Sequence, residues 1–264
     1  MTDRYAAFRE LHRPGHPLLL PNAWDHASAA ALAARGHPAV GTTSLGVAAA
    51  AGRPDGTGAT RAETLDLARR LRSVPVLVTV DVEGGFHDDP AAVARYAGEL
   101  AALGVVGMNL EDGRPDGTLA PAPLVAAKIA AVRTAAPGLF VNARTDAWWL
   151  GVLSPLAEAR RRAAVFRAAG ADGFFVPGAP DEEVGALAAE AGLPLNVLHR
   201  PGGPDLAALG RLGVARVSTG SLPFRVALGA ALHLVDAVAA GRDAGLPPAP
   251  GYPEVQALAR RPAT

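Results

Sequence analysis

Val74-Pro75-Val76-Leu77-Val78-Thr79-Val80-Asp81-Val82-Glu83-Gly84-Gly85-Phe86 is the stretch on which the fold turns. Its first seven residues are a nearly continuous apolar run, as in a strand buried on both faces. Asp81 and Glu83 follow on one face, two residues apart, and two glycines leave bare backbone beside them. An α/β protein places its chemistry at such a strand tip. Two carboxylates aimed into one pocket repel unless a cation or proton lies between them, so the pair suggests a divalent metal. Acids that simply face solvent at a strand end are the competing reading.

The same alternation runs through the chain. β-type runs fall at 17–21, 39–43, 74–81, 105–111, 139–144, 173–176, 195–199 and 215–219, separated by helix-period segments at 26–35, 61–72, 90–103, 123–136, 155–169, 181–191 and 204–212. Prolines open several of these segments, where the missing N–H would be unpaired anyway. Gly36, Gly104, Gly170, Gly192 and Gly213 follow helices as left-handed caps. Strict β-then-α order over this length predicts a (β/α)8 TIM barrel, and no GxGxxG follows the first strand to support a dinucleotide fold. Residues 1–240 form the expected barrel domain, closed by a last helix at 222–240, and 241–264 form a proline-rich tail.

Composition narrows the function. Among 264 residues, 25 basic and 25 acidic side chains balance, which gives no electrostatic case for nucleic acid or an anionic membrane. No cysteine is present, so thiolate chemistry, thiolate metal sites and disulfides are excluded. No apolar run reaches the ~20 residues of a membrane span. The start, Met1-Thr2-Asp3-Arg4-Tyr5, lacks the order of a signal peptide, and a cytoplasmic protein is expected.

One hexapeptide occurs twice. Gly52-Arg53-Pro54-Asp55-Gly56-Thr57 recurs as Gly113-Arg114-Pro115-Asp116-Gly117-Thr118, after the second and fourth strands. Turn chemistry accounts for the composition, and Asp55 and Asp116 can still reach a pocket at that face of a barrel. The other strand tips are also polar: Asn22 to Asp25, Thr42 to Ser44, Asn109 to Asp112, Asn142 to Asp146, Asn196 to His199 and Ser218 to Ser221. Asp81, Glu83 and Glu111 with one arginine would hold a hard cation such as magnesium or manganese, together with an anionic oxygen-rich ligand. Arg144 can fork onto a ligand carboxylate.

These tips carry a resemblance. Pro21-Asn22-Ala23-Trp24-Asp25, Thr43-Ser44-Leu45-Gly46-Val47-Ala48, Asp81-Val82-Glu83-Gly84-Gly85-Phe86, Asn109-Leu110-Glu111-Asp112 and Asn142-Ala143-Arg144-Thr145-Asp146 resemble the isocitrate lyase/phosphoenolpyruvate mutase superfamily, from about residue 15 to residue 230. The resemblance implies a barrel whose eighth helix is swapped between partners in a homo-oligomer, a dimer of dimers. It also implies a magnesium-bound enolate of a pyruvate-like 2-oxo acid. By position, Asp81 would bind Mg2+ directly, with Glu83 and Glu111 binding its waters. Thr43, Ser44 and Leu45 would receive the 2-oxo acid, Arg144 would clamp its carboxylate, and Asp55 matches the aspartate after strand two.

Departures from the family pattern narrow the reaction. The lyases carry a Lys-Lys/Arg-Cys-Gly-His loop after strand four, where this chain has Asp112-Gly113-Arg114-Pro115-Asp116-Gly117-Thr118 and no cysteine. The phosphonate-processing members carry a lysine/asparagine loop there and a histidine on strand six, which here reads Phe174-Phe175-Val176-Pro177. The reading that follows is a Mg2+-dependent 2-oxo acid lyase or decarboxylase cleaving a C–C bond of a small 2-oxo or 2-hydroxy di- or tricarboxylic acid, oxaloacetate- or methylisocitrate-like. Asp55 or Asp116 would take a hydroxyl proton and Asn196 would be a further substrate contact. Phosphonopyruvate hydrolase or mutase chemistry is the alternative enzyme, and a non-catalytic 2-oxo acid binding barrel is the alternative of another class.

The remaining polar residues have plain structural readings beside the functional ones. His199 either touches substrate or caps its loop, and His87 is solvated. Asn196, Asp112 and Asp146 either reach ligand or brace neighbouring strand ends. Trp24 packs, Asn22 and Asp25 hold the first loop, Trp148 and Trp149 either cover apolar surface near a subunit contact or wall the pocket, and Arg160-Arg161-Arg162 forms a solvated helix face.

Overall fold

The computed structural model describes residues 3–259. Its strands are β1 (Leu18–Leu20), β2 (Asn22–Ala23), β3 (Ala39–Thr42), β4 (Leu77–Asp81), β5 (Gly107–Glu111), β6 (Phe140–Arg144), β7 (Gly173–Phe175), β8 (Leu195–Leu198) and β9 (Arg216–Ser218). All neighbours pair in parallel, in the order β1-β9-β8-β7-β6-β5-β4-β3-β2. Helices α1 (Arg4–Glu10), α2 (His26–Ala34), α3 (Ser44–Ala50), α4 (Arg61–Leu71), α5 (Pro90–Ala102), α6 (Ala122–Ala135), α7 (Pro155–Ala168), α8 (Asp181–Glu190), α9 (Leu206–Arg211), α10 (Leu222–Ala239) and α11 (Tyr252–Ala257) complete the chain.

Every expected strand is present, and the nine arise because Pro21 divides the first one. Proline has no N–H to donate, so β1 pairs with β9 while β2 pairs with β3. The Asn22 side chain bridges the gap. Its Oδ1 accepts from the Gly220 and Thr219 amides at 2.8 and 3.1 Å, and its Nδ2 donates to the Thr42 carbonyl at 2.7 Å. The sheet thereby closes into the expected (β/α)8 barrel. Helices α1, α3 and α11 were not legible in the periodicity. All five capping glycines have positive φ, from 64° at Gly192 to 96° at Gly170.

The interior is layered. At the amino-terminal end α1 plugs the barrel: Phe8 meets Phe140 edge-on at 5.4 Å, and His12 stacks on Phe140 at 4.4 Å. His12 is buried and its Nδ1 donates to the Phe8 carbonyl at 2.9 Å. Burial, with the charge of Arg216 above, pushes its pKa down to about 3. The unfolded chain takes up a proton near pH 6.5 that the folded chain refuses until about pH 3, so stability is lost as pH is lowered through that window and is full above it. The expected slope is about 1.4 kcal/mol per pH unit. Between pH 7.5 and 5 the wild type should lose about 2 kcal/mol that His12→Phe keeps, seen as a larger drop in its melting temperature, and parallel loss in both would refute the role.

Above this plug lies a polar layer, and above that the tips of the strands form the site. α10 leaves the barrel almost unpacked. Only Ala237 is buried, while Val226, Leu232, Val235 and Val238 are each at least 60% exposed. At its start Phe224 meets Trp24 edge-on at 5.6 Å, so Trp24 packs as expected. α10 is also long and apolar enough to cross a membrane by length and composition, although polar residues interrupt its apolar run.

Candidate active site

Sheet register assembles the site. Asp81 is the Cα partner of Asn109, Asn109 of Asn142, and Glu111 of Arg144. The inward-facing tips of three adjacent strands, β4 to β6, therefore carry two carboxylates and a guanidinium. The Arg144–Glu111 ion pair, Nη1 to Oε2 at 2.7 Å, follows directly from that pairing. Arg144 also donates from Nε to Asp146 Oδ1 at 2.7 Å, and Phe175 covers its guanidinium with ring centroid 5.6 Å away. Burial works against the Arg144 charge, but Glu111, Asp146 and Asp81 outweigh it and hold the group above its ordinary pKa.

The acid turn after β4 is held under strain. Glu83 and Phe86 adopt φ of 51° and 59°, the left-handed region that favours glycine. Three contacts fix it. Gly58 N–H donates to Glu83 Oε2 at 2.7 Å and the Thr60 hydroxyl to Oε1 at 2.8 Å. Lys128 Nζ donates to the Gly84 carbonyl at 2.8 Å. Gly85 is required because a Cβ there would press into Val93.

Asp81 lies on the other side of this turn and accepts a single long bond, from Glu83 N at 3.4 Å. Burial raises its pKa, with Asp55 and Asp146 adding to the effect against the pull of Arg144. Burial likewise raises Glu83, aided by Asp55 and Asp81, and raises Glu111 well above its ordinary value, aided by Asp81, Asp146 and Glu83. Three buried carboxylates that disfavour one another's charge are the donor set a hard cation would relieve. Among the described residues, no three ligating side chains converge ready to surround an ion. Glu83 is gripped by donors and Glu111 by Arg144, which leaves Asp81 as the carboxylate freest to meet a cation.

Two cavities flank this row. The inner one, about 140 Å³, is walled by Thr43, Ser44 and Leu45, with Asp55, Asp81, Asn109 and Arg144, and by Ser218 and Gly220 on the far side. α3 reaches this wall closely because Gly46 lies against Trp24, where a Cβ would collide. The outer cavity, about 460 Å³, is lined by Gly56 to Gly58, Glu83, Glu111, Lys128 and Gly113 to Asp116. Both copies of the repeated hexapeptide therefore face the outer cavity.

The structure places the sequence candidates unequally. Thr43, Ser44, Leu45, Asp55, Asp81 and Arg144 meet in the inner cavity, and Glu83 and Glu111 line the outer one. Asp116 is exposed in the outer cavity, and its carboxylate accepts from the hydroxyl and amide of Thr118 at 2.6 and 3.0 Å. Asn196 is buried below the inner floor, where its Oδ1 accepts from the Ser218 hydroxyl at 3.0 Å. His199 is exposed in a separate crevice.

The solvated reading of Arg162 is wrong. Arg162 is 4% exposed and donates to Asp112 Oδ2 and the Ala120 carbonyl, each at 2.9 Å. Burial pushes Asp112 up to about 6 against the pull of Arg162 and of the Asp146 N–H that it accepts at 2.9 Å. Arg162, Asp112 and Asp146 thus form a chain of contacts ending on Arg144. Gly113 belongs to it, since a Cβ there would collide with the Asp146 carboxylate. Sequence reasoning also missed Thr60 and Arg216. The one signal for Arg216 was a charge inside an otherwise apolar strand run.

Fold and site together define a (β/α)8 barrel enzyme whose acids and arginine gather at the carboxyl ends of its strands. Residues 8–239 match the phosphoenolpyruvate phosphomutase family, and the chain belongs to that family, within the isocitrate lyase/phosphoenolpyruvate mutase superfamily. It is 44% identical over 252 residues to the uncharacterized protein Rv1998c of Mycobacterium tuberculosis (strain H37Rv), with 95% of each chain covered. To the 2-methylisocitrate lyase of Bacillus subtilis (strain 168) it is 33% identical over 177 residues, 64% of this chain and 58% of that one. A crystal structure from Burkholderia cenocepacia J2315, provisionally named a phosphonomutase, is 39% identical with a TM-score of 0.84, covering 89% of this chain and all of that one. The chain is an enzyme of this superfamily, whose members include carbon–carbon lyases such as 2-methylisocitrate lyase.

Proposed function

We propose that the protein is a Mg2+-dependent lyase that breaks a C–C bond of a small 2-oxo or 2-hydroxy di- or tricarboxylic acid and releases a pyruvate-type 2-oxo acid. The observation that carries this reading is the inner cavity itself, where Thr43, Ser44 and Leu45 face Asp81 and Arg144 across about 140 Å³. Asp81 would hold the ion directly, with Glu83 and Glu111 holding its waters; Mn2+ suits the same oxygen donors. When bound, magnesium would supply positive charge beside the substrate's 2-oxygen, where negative charge gathers whether a 2-oxo or a 2-hydroxy acid is cleaved.

The chain's own residues do the rest. Arg144 forks onto the ligand carboxylate, with Asp146 and Phe175 fixing its plane. The Thr43 and Ser44 hydroxyls and the amino end of α3 receive the remaining oxygens. In cleavage of a 2-hydroxy acid, Asp55 at the cavity mouth takes the hydroxyl proton as the adjacent C–C bond breaks, and the departing carbon is protonated from solvent in place of the family's cysteine. Asp116 serves its own turn and stands farther out.

The test is purified protein with Mg2+ against oxaloacetate, 2-methylisocitrate, 2,3-dimethylmalate and phosphonopyruvate. C–C cleavage of a carboxylic acid is expected. Phosphate release from phosphonopyruvate alone would install the hydrolase reading, and Mg2+-dependent pyruvate binding without turnover would install the binding barrel.

The exposed apolar face of α10 belongs to this reading, since the family match runs through it to residue 239. We assign it to a second copy of the chain, exchanged within a homo-oligomer built as a dimer of dimers. Leu232→Asp with Val235→Asp should reduce the mass seen by light scattering to that of one chain. A monomeric wild type, or its sedimentation with phospholipid vesicles, would defeat the assignment.

A further inference from the structure

Arg216 carries a charge that neither folding nor the reaction above uses. It sits on β9 with no exposed surface, and among the described residues no carboxylate lies within ion-pair distance. Its Nη2 donates to Asn109 Oδ1 at 3.2 Å and its Nε to the Ser218 hydroxyl at 3.1 Å. Nη1 meets no protein acceptor. Asn109 also accepts from Asn142 Nδ2 at 2.9 Å, and Ser218 donates to Asn196, so the guanidinium is the hub of the whole polar layer. Two members of that layer, Asn109 and Ser218, line the inner cavity directly above. Below lies His12, held neutral.

Burying a charge without a counter-ion is costly, and an apolar residue of similar volume would serve packing better. Burial pushes the Arg216 pKa down to about 9, while the Asp81 carboxylate pulls the other way. The guanidinium therefore stays charged at neutral pH, and the nearest use for its field is the cavity floor.

We propose that Arg216 is a positioning residue that fixes the Asn109–Ser218 floor and biases the inner cavity toward anions, strengthening the binding of the 2-oxo acid at the expense of affinity for free Mg2+. The inference rests on the lyase reading, and it makes a demand that packing alone does not. Removing a buried positive charge must shift the two ligands in opposite directions. Loss of structure weakens both.

The experiment is calorimetric titration of Mg2+ alone, and of oxalate, a planar dianion, in saturating Mg2+. Arg216→Met is expected to bind Mg2+ about tenfold more tightly and oxalate about tenfold more weakly than wild type. Arg216→Lys, which keeps the charge and folds under a smaller change, should stay within about threefold of wild type for Mg2+. Parallel weakening of both ligands in Arg216→Met would overturn the inference. So would an Arg216→Lys variant with the opposite-sign shifts expected of charge removal, which decides the matter even if Arg216→Met does not fold. A wild type that binds no oxalate in Mg2+ would instead overturn the lyase reading itself.

Discussion

Asp81→Ala is expected to lose turnover by ~10³-fold or more while melting at or above the wild-type temperature. The two halves of that expectation have one cause. The Asp81 carboxylate is buried beside Asp55 and Asp146, and the pull of Arg144 and one long hydrogen bond offset only part of the cost. Truncating it removes a destabilising charge from the fold and the direct cation ligand from the site. Such opposition of stability and activity is what functional sites show when their groups are arranged for chemistry. A variant that keeps more than a tenth of wild-type turnover would remove Asp81 from the mechanism. One that melts far lower would make its role structural.

Arg144→Met should behave differently, failing in both respects. Its guanidinium is the partner of Glu111 and Asp146, which are themselves buried. Removing it leaves two carboxylates uncompensated, a loss of about 3–5 kcal/mol in comparable buried pairs. Affinity for a carboxylate ligand should fall ~10²-fold or more. Arg144→Lys separates the two effects. A point charge restores part of the stability but cannot fork onto a carboxylate, so its melting temperature should recover while KM stays high. If Arg144→Lys restores KM as well, the bidentate clamp is not how Arg144 works.

The barrel was legible because each parallel strand is a short apolar run bounded by glycine and proline, and the helices between them keep their period. The directly facing residues were legible for a related reason: a strand tip exposes its last inward side chain, as Asp81, Glu111 and Arg144 show. What escaped was anything set by three-dimensional proximity alone. Arg162 lies in a run of three arginines that looks like a solvated face, and only the packing of α7 against the loop after β5 turns it inward onto Asp112. Arg216 is one charge in an apolar strand, and nothing in its sequence neighbourhood shows that it lies beneath the floor. Asp116 and Asp55 occupy identical hexapeptides, yet one caps its own turn while the other reaches the inner cavity. Their surroundings, not their letters, differ.

The division of the first strand at Pro21 has a consequence for a chain still being made. Asn22 completes the ring only by accepting from amides 197 and 198 residues further on. Until those residues leave the ribosome, the nascent sheet has two raw edges, β1 on one side and the most recently finished strand on the other. Unpaired parallel edges recruit other chains. The vulnerable interval therefore lasts for almost the whole of synthesis, and it ends when β9 pairs with β1 and the Asn22 side chain finds its two amides.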